Sequence, residues 1–154
     1  MRALLQRTTG ARVRVNGAVV TEIGRGLVVL LGVGPEDDER VAAALARRVT
    51  ELRIFDDPAG RTNLSLTDVG GAVLVVSQFT LYADTSRGRR PGFTGAAAPE
   101  LAERLYQRFA ADLAEMGVET ATGQFGAVME VELVNDGPFT IWLDTAQRRS
   151  ASRE

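Results

Sequence analysis

At 154 residues with 45% hydrophobic and 25% charged residues, the chain has the length and composition of one globular domain and is too short for two. All 18 of its cations are arginine, it has neither histidine nor cysteine, and its formal charge is −2. Arginine cannot act as a general base, so Ser-His, Cys-His, Ser-Lys and Schiff-base chemistries are excluded and only Asp and Glu remain as side-chain bases. The same absences argue against a zinc or copper enzyme. A metal would need oxygen ligands, and the one run of carboxylates, Glu36-Asp37-Asp38-Glu39, reads as a solvated loop entering a helix, so neither metal nor cofactor is expected. The charge carries no global nucleic-acid signature, and a polyanion would need a local patch. No run reaches the roughly 18 apolar residues of a membrane helix, and the opening MRALLQRTTG is too short and polar for a signal peptide, which together predict a cytoplasmic protein without membrane contact.

In chain order, Arg2 to Gln6 and Ala11 to Val15 read as strands, and Asn16-Gly17 is a hairpin turn leading to a return strand over Ala18 to Ile23. Leu27 to Val33 is a buried strand, so four strands precede any helix. Acidic residues after Gly34-Pro35 suit a helix N-terminus, and Val41, Leu45, Val49 and Leu52 form the apolar stripe of that helix. Arg53 to Phe55 is a short strand followed by a turn over Asp56 to Gly60, and Asn63 to Asp68 is ambiguous.

Ala72 to Tyr82 is the organising stretch. Val73 to Val76 reads as a central strand buried on both faces, and it turns polar at Ser77, Gln78 and Thr80. In a regular strand Ser77 and Thr80 would lie on opposite faces. They converge only if the backbone bends, or if main-chain N–H groups act there with the side chains. The plainer reading is a set of polar groups satisfied at the end of a core strand.

Ala83 to Ala98 is a long loop carrying Arg87, Arg89 and Arg90, either a solvated charge run or a phosphate contact. Pro99 opens a second helix with Leu101, Leu105, Phe109 and Leu113 as its stripe and Gly117 just past its end. Val118 to Thr122, Val128 to Val134 and Phe139 to Leu143 read as strands, with a turn at Asn135-Asp136-Gly137-Pro138. Eight or nine grouped strands and two helices predict an α+β domain with a curled antiparallel or mixed sheet or barrel, spanning residues 1–144. The polar stretch 145–154 is expected to be a disordered tail.

Ser77-Gln78-Phe79-Thr80 and Asn135-Asp136-Gly137-Pro138-Phe139-Thr140, with Gln6-Arg7, Arg53-Ile54-Phe55 and Arg90-Pro91 plus Phe93 at matching spacing, resemble the D-aminoacyl-tRNA deacylases. The resemblance covers Met1 to about Leu143. It implies a homodimer that hydrolyses the ester joining a D-amino acid, or glycine mischarged on tRNA-Ala, to the 3′-terminal ribose of tRNA. A cis Gly137-Pro138 peptide would reach across the dimer into the partner's site as a chirality filter, with Arg7 bracing its loop. The resemblance assigns Gln78, Phe79 and Thr80 to catalysis, through main-chain N–H groups near Phe79 and Thr80, and assigns Ser77, Phe125 and Met129 to substrate contact. With no base in the chain to activate the Thr80 hydroxyl, the ribose 2′-hydroxyl would assist hydrolysis. Phe139 stands where that family usually has Val. A sibling deacylase acting on mischarged alanyl-tRNA has an aromatic there but reads Pro-Gln-Ala-Thr at the first motif, so the D-specific enzyme fits better. The remaining alternatives are a non-catalytic tRNA- or nucleotide-binding barrel and a structural dimer module.

Overall fold

The computed structural model describes residues 1–150, with side chains described through Gln147. Its frame is one long strand, β1 (Arg2–Val15), against which three other strands lie. β2 (Ala18–Ile23) returns from the Asn16-Gly17 turn, where both residues have positive φ as a type I′ turn requires, and pairs with the second half of β1. β3 (Gly26–Gly32) pairs with the first half on the same edge. Arg2–Gln6 and Ala11–Val15, read separately from sequence, are therefore one strand. The Thr8 hydroxyl exchanges hydrogen bonds with the carbonyl and N–H of Gly10 and so carries the chain through the irregular middle.

The helix α1 (Glu39–Glu51) starts at Asp38, whose carboxylate accepts from the Val41 N–H at 2.9 Å. β4 (Arg53–Asp56) and β5 (Thr62–Ser65) make a separate two-stranded sheet. The ambiguous stretch after it resolves into the end of β5 and a single turn, α2 (Leu66–Val69), fixed by a reciprocal capping box between Ser65 and Asp68. β6 (Ala72–Ser77) then pairs parallel with β3. Their close approach requires glycine at position 26, where a Cβ would stand 1.8 Å from the Ala72 carbonyl oxygen. α3 (Pro99–Glu115) leads to β7 (Thr120–Thr122), which pairs parallel with β6.

The last strand corrects the sequence reading. β8 (Glu130–Asp144) is a single strand antiparallel to β1 over nearly its full length, and Asn135 to Pro138 is not a turn between two strands. α4 (Thr145–Ser150) follows, so the first part of the stretch expected to be disordered is helical; residues 151–154 lie outside the described residues. Among the described residues the helices thus number four where two were expected, because α2 and α4 are too short to show a 3.6-residue periodicity.

The strand order β2-β1-β3-β6-β7, with β8 on the free edge of β1, makes a mixed sheet curled nearly into a barrel. α1 and α3 cover one face, burying Leu45, Val49, Phe109 and Leu113 against Leu5, Leu27, Val29, Val73 and Val75. The other face closes on itself around Val13, Ile23, Val28, Leu74 and Val76. β6 is buried on both sides, as its unbroken apolar run predicts. No helix among the described residues is long and apolar enough to cross a membrane.

Candidate active site

At the end of β6 the chain does bend. Gln78 leaves the strand with φ −141° and ψ 81°, and Phe79–Tyr82 forms a short 3-10 turn. The Gln78 N–H is spent on the Leu31 carbonyl at 2.7 Å, whereas the N–H groups of Phe79 and Thr80, first in the turn, have no acceptor among the described residues. Two adjacent main-chain donors thus sit at the mouth of the strand, beside the exposed ring of Phe79, which makes an edge contact with Phe93 at 5.0 Å. The Gln78 side-chain amide hydrogen-bonds the Thr80 hydroxyl. In either orientation an amide is no base, so the hydroxyl has no group nearby to take its proton. Ser77 is half-buried at the last strand position.

Sequence reasoning missed what holds this turn. The Arg2 guanidinium donates to the Leu81 carbonyl at 2.9 Å and to Asp144 at 3.2 Å, and lies 4.4 Å over the Tyr82 ring. The Tyr82 hydroxyl titrates well above its ordinary range, chiefly through burial and secondly through the negative charge of Asp37, so it stays neutral and is no base either. Phe125 and Met129 flank the end of β6 on opposite faces. Phe125 packs beside Tyr106 at 5.8 Å, and the Met129 sulfur accepts from the Gln124 N–H at 3.3 Å.

The second motif is a bulge in β8. Gln6 pairs with Thr140 and Thr8 with Asn135, so one residue of β1, Arg7, faces the four residues Asp136 to Phe139. The Asn135 side chain ties the bulge off, accepting from the Phe139 N–H at 3.0 Å and donating to the Thr140 hydroxyl at 3.1 Å. Arg7, 7% exposed, donates to the Asp136 carbonyl at 3.1 Å and the Ile54 carbonyl at 2.9 Å, ion-pairs with Asp56 and Asp136 at 3.4 Å each, and stacks 4.8 Å over Phe139. Its role as a brace follows from the surplus of residues it must hold. Gly137-Pro138 is cis, both residues are exposed, and Gly137 has φ +132°, a region only glycine occupies freely. A side chain at 137 would also approach the Phe139 N–H to 3.0 Å.

Within one chain the two motifs do not meet. Register carries Ser77 to Leu31, Ala3 and Leu143, but carries Arg7, opposite the bulge, to Leu27 and Val73. The motifs are therefore four residues apart along the strands and three strands apart across the sheet, roughly 20 Å in all. Arg87, Arg89 and Arg90 lie exposed on the loop that the Asp84–Gly92 bridge closes, close in sequence to Phe93. Among the described residues no group of three or more carboxylates is placed to hold a metal ion.

Fold and site together define a nearly closed mixed barrel with two exposed motifs that have neither a nucleophile-base pair nor a metal cluster among the described residues. The chain belongs to the D-Tyr-tRNA(Tyr) deacylase family, whose model matches residues 4–144. It is 62% identical over 144 residues to the D-aminoacyl-tRNA deacylase of Dinoroseobacter shibae, covering 94% of this chain and 99% of that one. It is 57% identical to that of Lacticaseibacillus casei, covering 94% and 98%. A solved structure titled c-Myc DNA Unwinding Element Binding Protein superposes with a TM-score of 0.89 at 38% identity, covering 94% of this chain and 99% of that one. A second, a probable eukaryotic D-amino acid tRNA deacylase, shares the fold with a TM-score of 0.81 at 21% identity, covering 93% and 98%.

Proposed function

We propose that this protein hydrolyses the ester bond of D-aminoacyl-tRNA, releasing the D-amino acid and free tRNA. The observation that carries the reading is 62% identity to a D-aminoacyl-tRNA deacylase over 94% of the chain. In this reading the Phe79 and Thr80 N–H groups take the developing oxyanion of the ester carbonyl, Phe79 stacks on the terminal adenine, and Ser77 and Gln78 orient the ribose. Water attacks the carbonyl carbon, the ester C–O bond breaks, and the departing ribose oxygen is protonated with help from the neighbouring 2′-hydroxyl. The protein supplies position and charge stabilisation rather than a nucleophile, which suits a site whose hydroxyl has no base beside it.

The Gly137-Pro138 bulge acts as the chirality filter, its carbonyls holding the substrate amino group where an L side chain would collide with the loop. Glycine has no side chain to collide, so glycyl-tRNA is hydrolysed too. The roughly 20 Å separation within one chain supports a homodimer in which the bulge enters the partner's site, with Phe125 and Met129 lining the pocket below it. The exposed arginines 87, 89 and 90 meet the phosphates of the 3′ end, and the protein works in the cytoplasm without membrane or cofactor.

Release of labelled amino acid from D-tyrosyl-tRNA, glycyl-tRNA and L-tyrosyl-tRNA tests this. Fast hydrolysis of the first two and none of the third is the expected result. Binding of all three without hydrolysis would leave a non-catalytic tRNA-binding barrel.

A further inference from the structure

From the outer face of α1 we infer a second RNA-contacting surface, one that grips the phosphodiester backbone of the tRNA acceptor arm beyond the ester being cleaved. Arg40, Arg47, Arg48 and Arg53 line a shallow recess of about 850 Å³ together with Ala43, Ala44 and Leu52, and Glu51 is its one acidic side chain. Four guanidiniums against one carboxylate make a local charge of +3 on a chain whose net charge is −2.

Arg40, Arg47 and Arg48 have no carboxylate within ion-pair distance among the described residues, although Arg104 and Arg108 on the neighbouring helix α3 are both paired, with Glu39 and Asp112. Arg53 is held against its own surface by the main-chain and side-chain oxygens of Asn63 and makes no ion pair among the described residues, its charge reaching the Asp68 carboxylate only at longer range. Helix electrostatics accounts for Arg48, which lies in the last turn of α1. It does not account for Arg40, which follows Glu39 in the first turn, where the macrodipole disfavours a cation. A cation kept at an unfavourable position, in line with others and without an internal partner, is placed for an external anion.

The anion is extended. Arg40 and Arg47 are seven residues apart, about 10 Å along the helix, which is enough to touch more than one phosphate of a strand. One end of the recess lies a single residue along the chain from a contact of the second motif. Arg53 adjoins Ile54, whose carbonyl takes the Arg7 guanidinium that braces the Gly137 bulge.

This inference rests on the tRNA reading, and its test separates the two. The variant carrying Arg40→Gln, Arg47→Gln and Arg48→Gln is compared with the parent protein on D-tyrosyl-tRNA and on D-tyrosyl-adenosine, the same ester without the acceptor arm. The expected result is a KM for D-tyrosyl-tRNA raised tenfold or more, with the slope of log kcat/KM against log salt reduced by about 0.7 to 0.9 for each phosphate the variant no longer neutralises. Hydrolysis of D-tyrosyl-adenosine stays unchanged, which also shows that the variant is folded. An unchanged KM and slope on D-tyrosyl-tRNA would overturn the inference. If the parent hydrolyses neither ester, the deacylase reading fails, and the surface is then decided by filter binding of uncharged tRNA. A weakened, flatter-sloped affinity in the variant supports it, and equal affinities overturn it. Loss of binding to phosphatidylserine vesicles with tRNA affinity intact would also overturn it, in favour of a membrane contact.

Discussion

At the scale of single residues, the two motifs make opposite use of their side chains. Thr80 offers its N–H, and its hydroxyl is engaged by an amide that cannot deprotonate it. Thr80→Ala is therefore expected to keep kcat/KM for D-tyrosyl-tRNA within about tenfold of the parent. A thousandfold loss, about 4 kcal/mol of transition-state stabilisation, would make the hydroxyl catalytic. Arg7 works the other way, entirely through its side chain, which fills five interactions from a position 7% exposed. Arg7→Met keeps the bulk but strands the Ile54 and Asp136 carbonyls without their donor. We expect a loss of about 2–4 kcal/mol in urea unfolding together with a large fall in activity. Arg7→Lys should rescue neither fully, because one ammonium cannot reproduce a planar fork that stacks on Phe139.

Among the elements, the bulge in β8 depends on how a strand absorbs surplus residues without losing its ladder. Asn135 closes that loop from inside by satisfying the Phe139 N–H and the Thr140 hydroxyl. Asn135→Ala is predicted to cost about 1 kcal/mol of stability, since β8 remains paired with β1 on both sides of the bulge. Its larger effect should fall on the ratio of D- to L-tyrosyl-tRNA hydrolysis, as an untied loop no longer holds Gly137 and Pro138 in one place. An unaltered ratio would mean that the bulge is set by Arg7 alone. The 3-10 turn at Phe79 has the same logic at a smaller scale, because ending β6 in a tight turn frees two consecutive N–H groups that a longer strand would pair.

For the whole molecule, the separation of the motifs leads to a complementation experiment. Phe79→Pro removes one donor at the first position of a helical turn, where proline is accommodated, and Gln78 before it is already outside the helical region. Gly137→Ala strains the bulge at φ +132°. Each variant alone should be inactive and dimeric by sedimentation. Mixed after dissociation, they should recover about a quarter of the parent activity, because half the dimers are then mixed and each holds one intact site. No recovery, with mixed dimers present, would place both motifs in the site of a single chain.

Short-range chemistry is what the sequence by itself determined. The Asn16-Gly17 turn, the acidic start of α1, the stripe of α3 and the two-sided burial of β6 each depend on residues within a few positions of one another, so their patterns were legible. Composition likewise excluded imidazole, thiol and amine catalysis without reference to shape. The pairing of β1 with β8 depends on partners about 130 residues apart in the chain, so only the tertiary structure decided that Asn135 to Pro138 is a bulge within a strand. That pairing also explains Arg7, whose opposite number in the ladder is a four-residue surplus no local window contains. The Ser65-Asp68 capping box was present in the sequence, but one turn is too short for periodicity to reveal it. Arg2 under the Phe79 turn and the unpaired arginines of α1 were invisible for a related reason, since whether a surface cation has a partner is decided by which elements pack beside it.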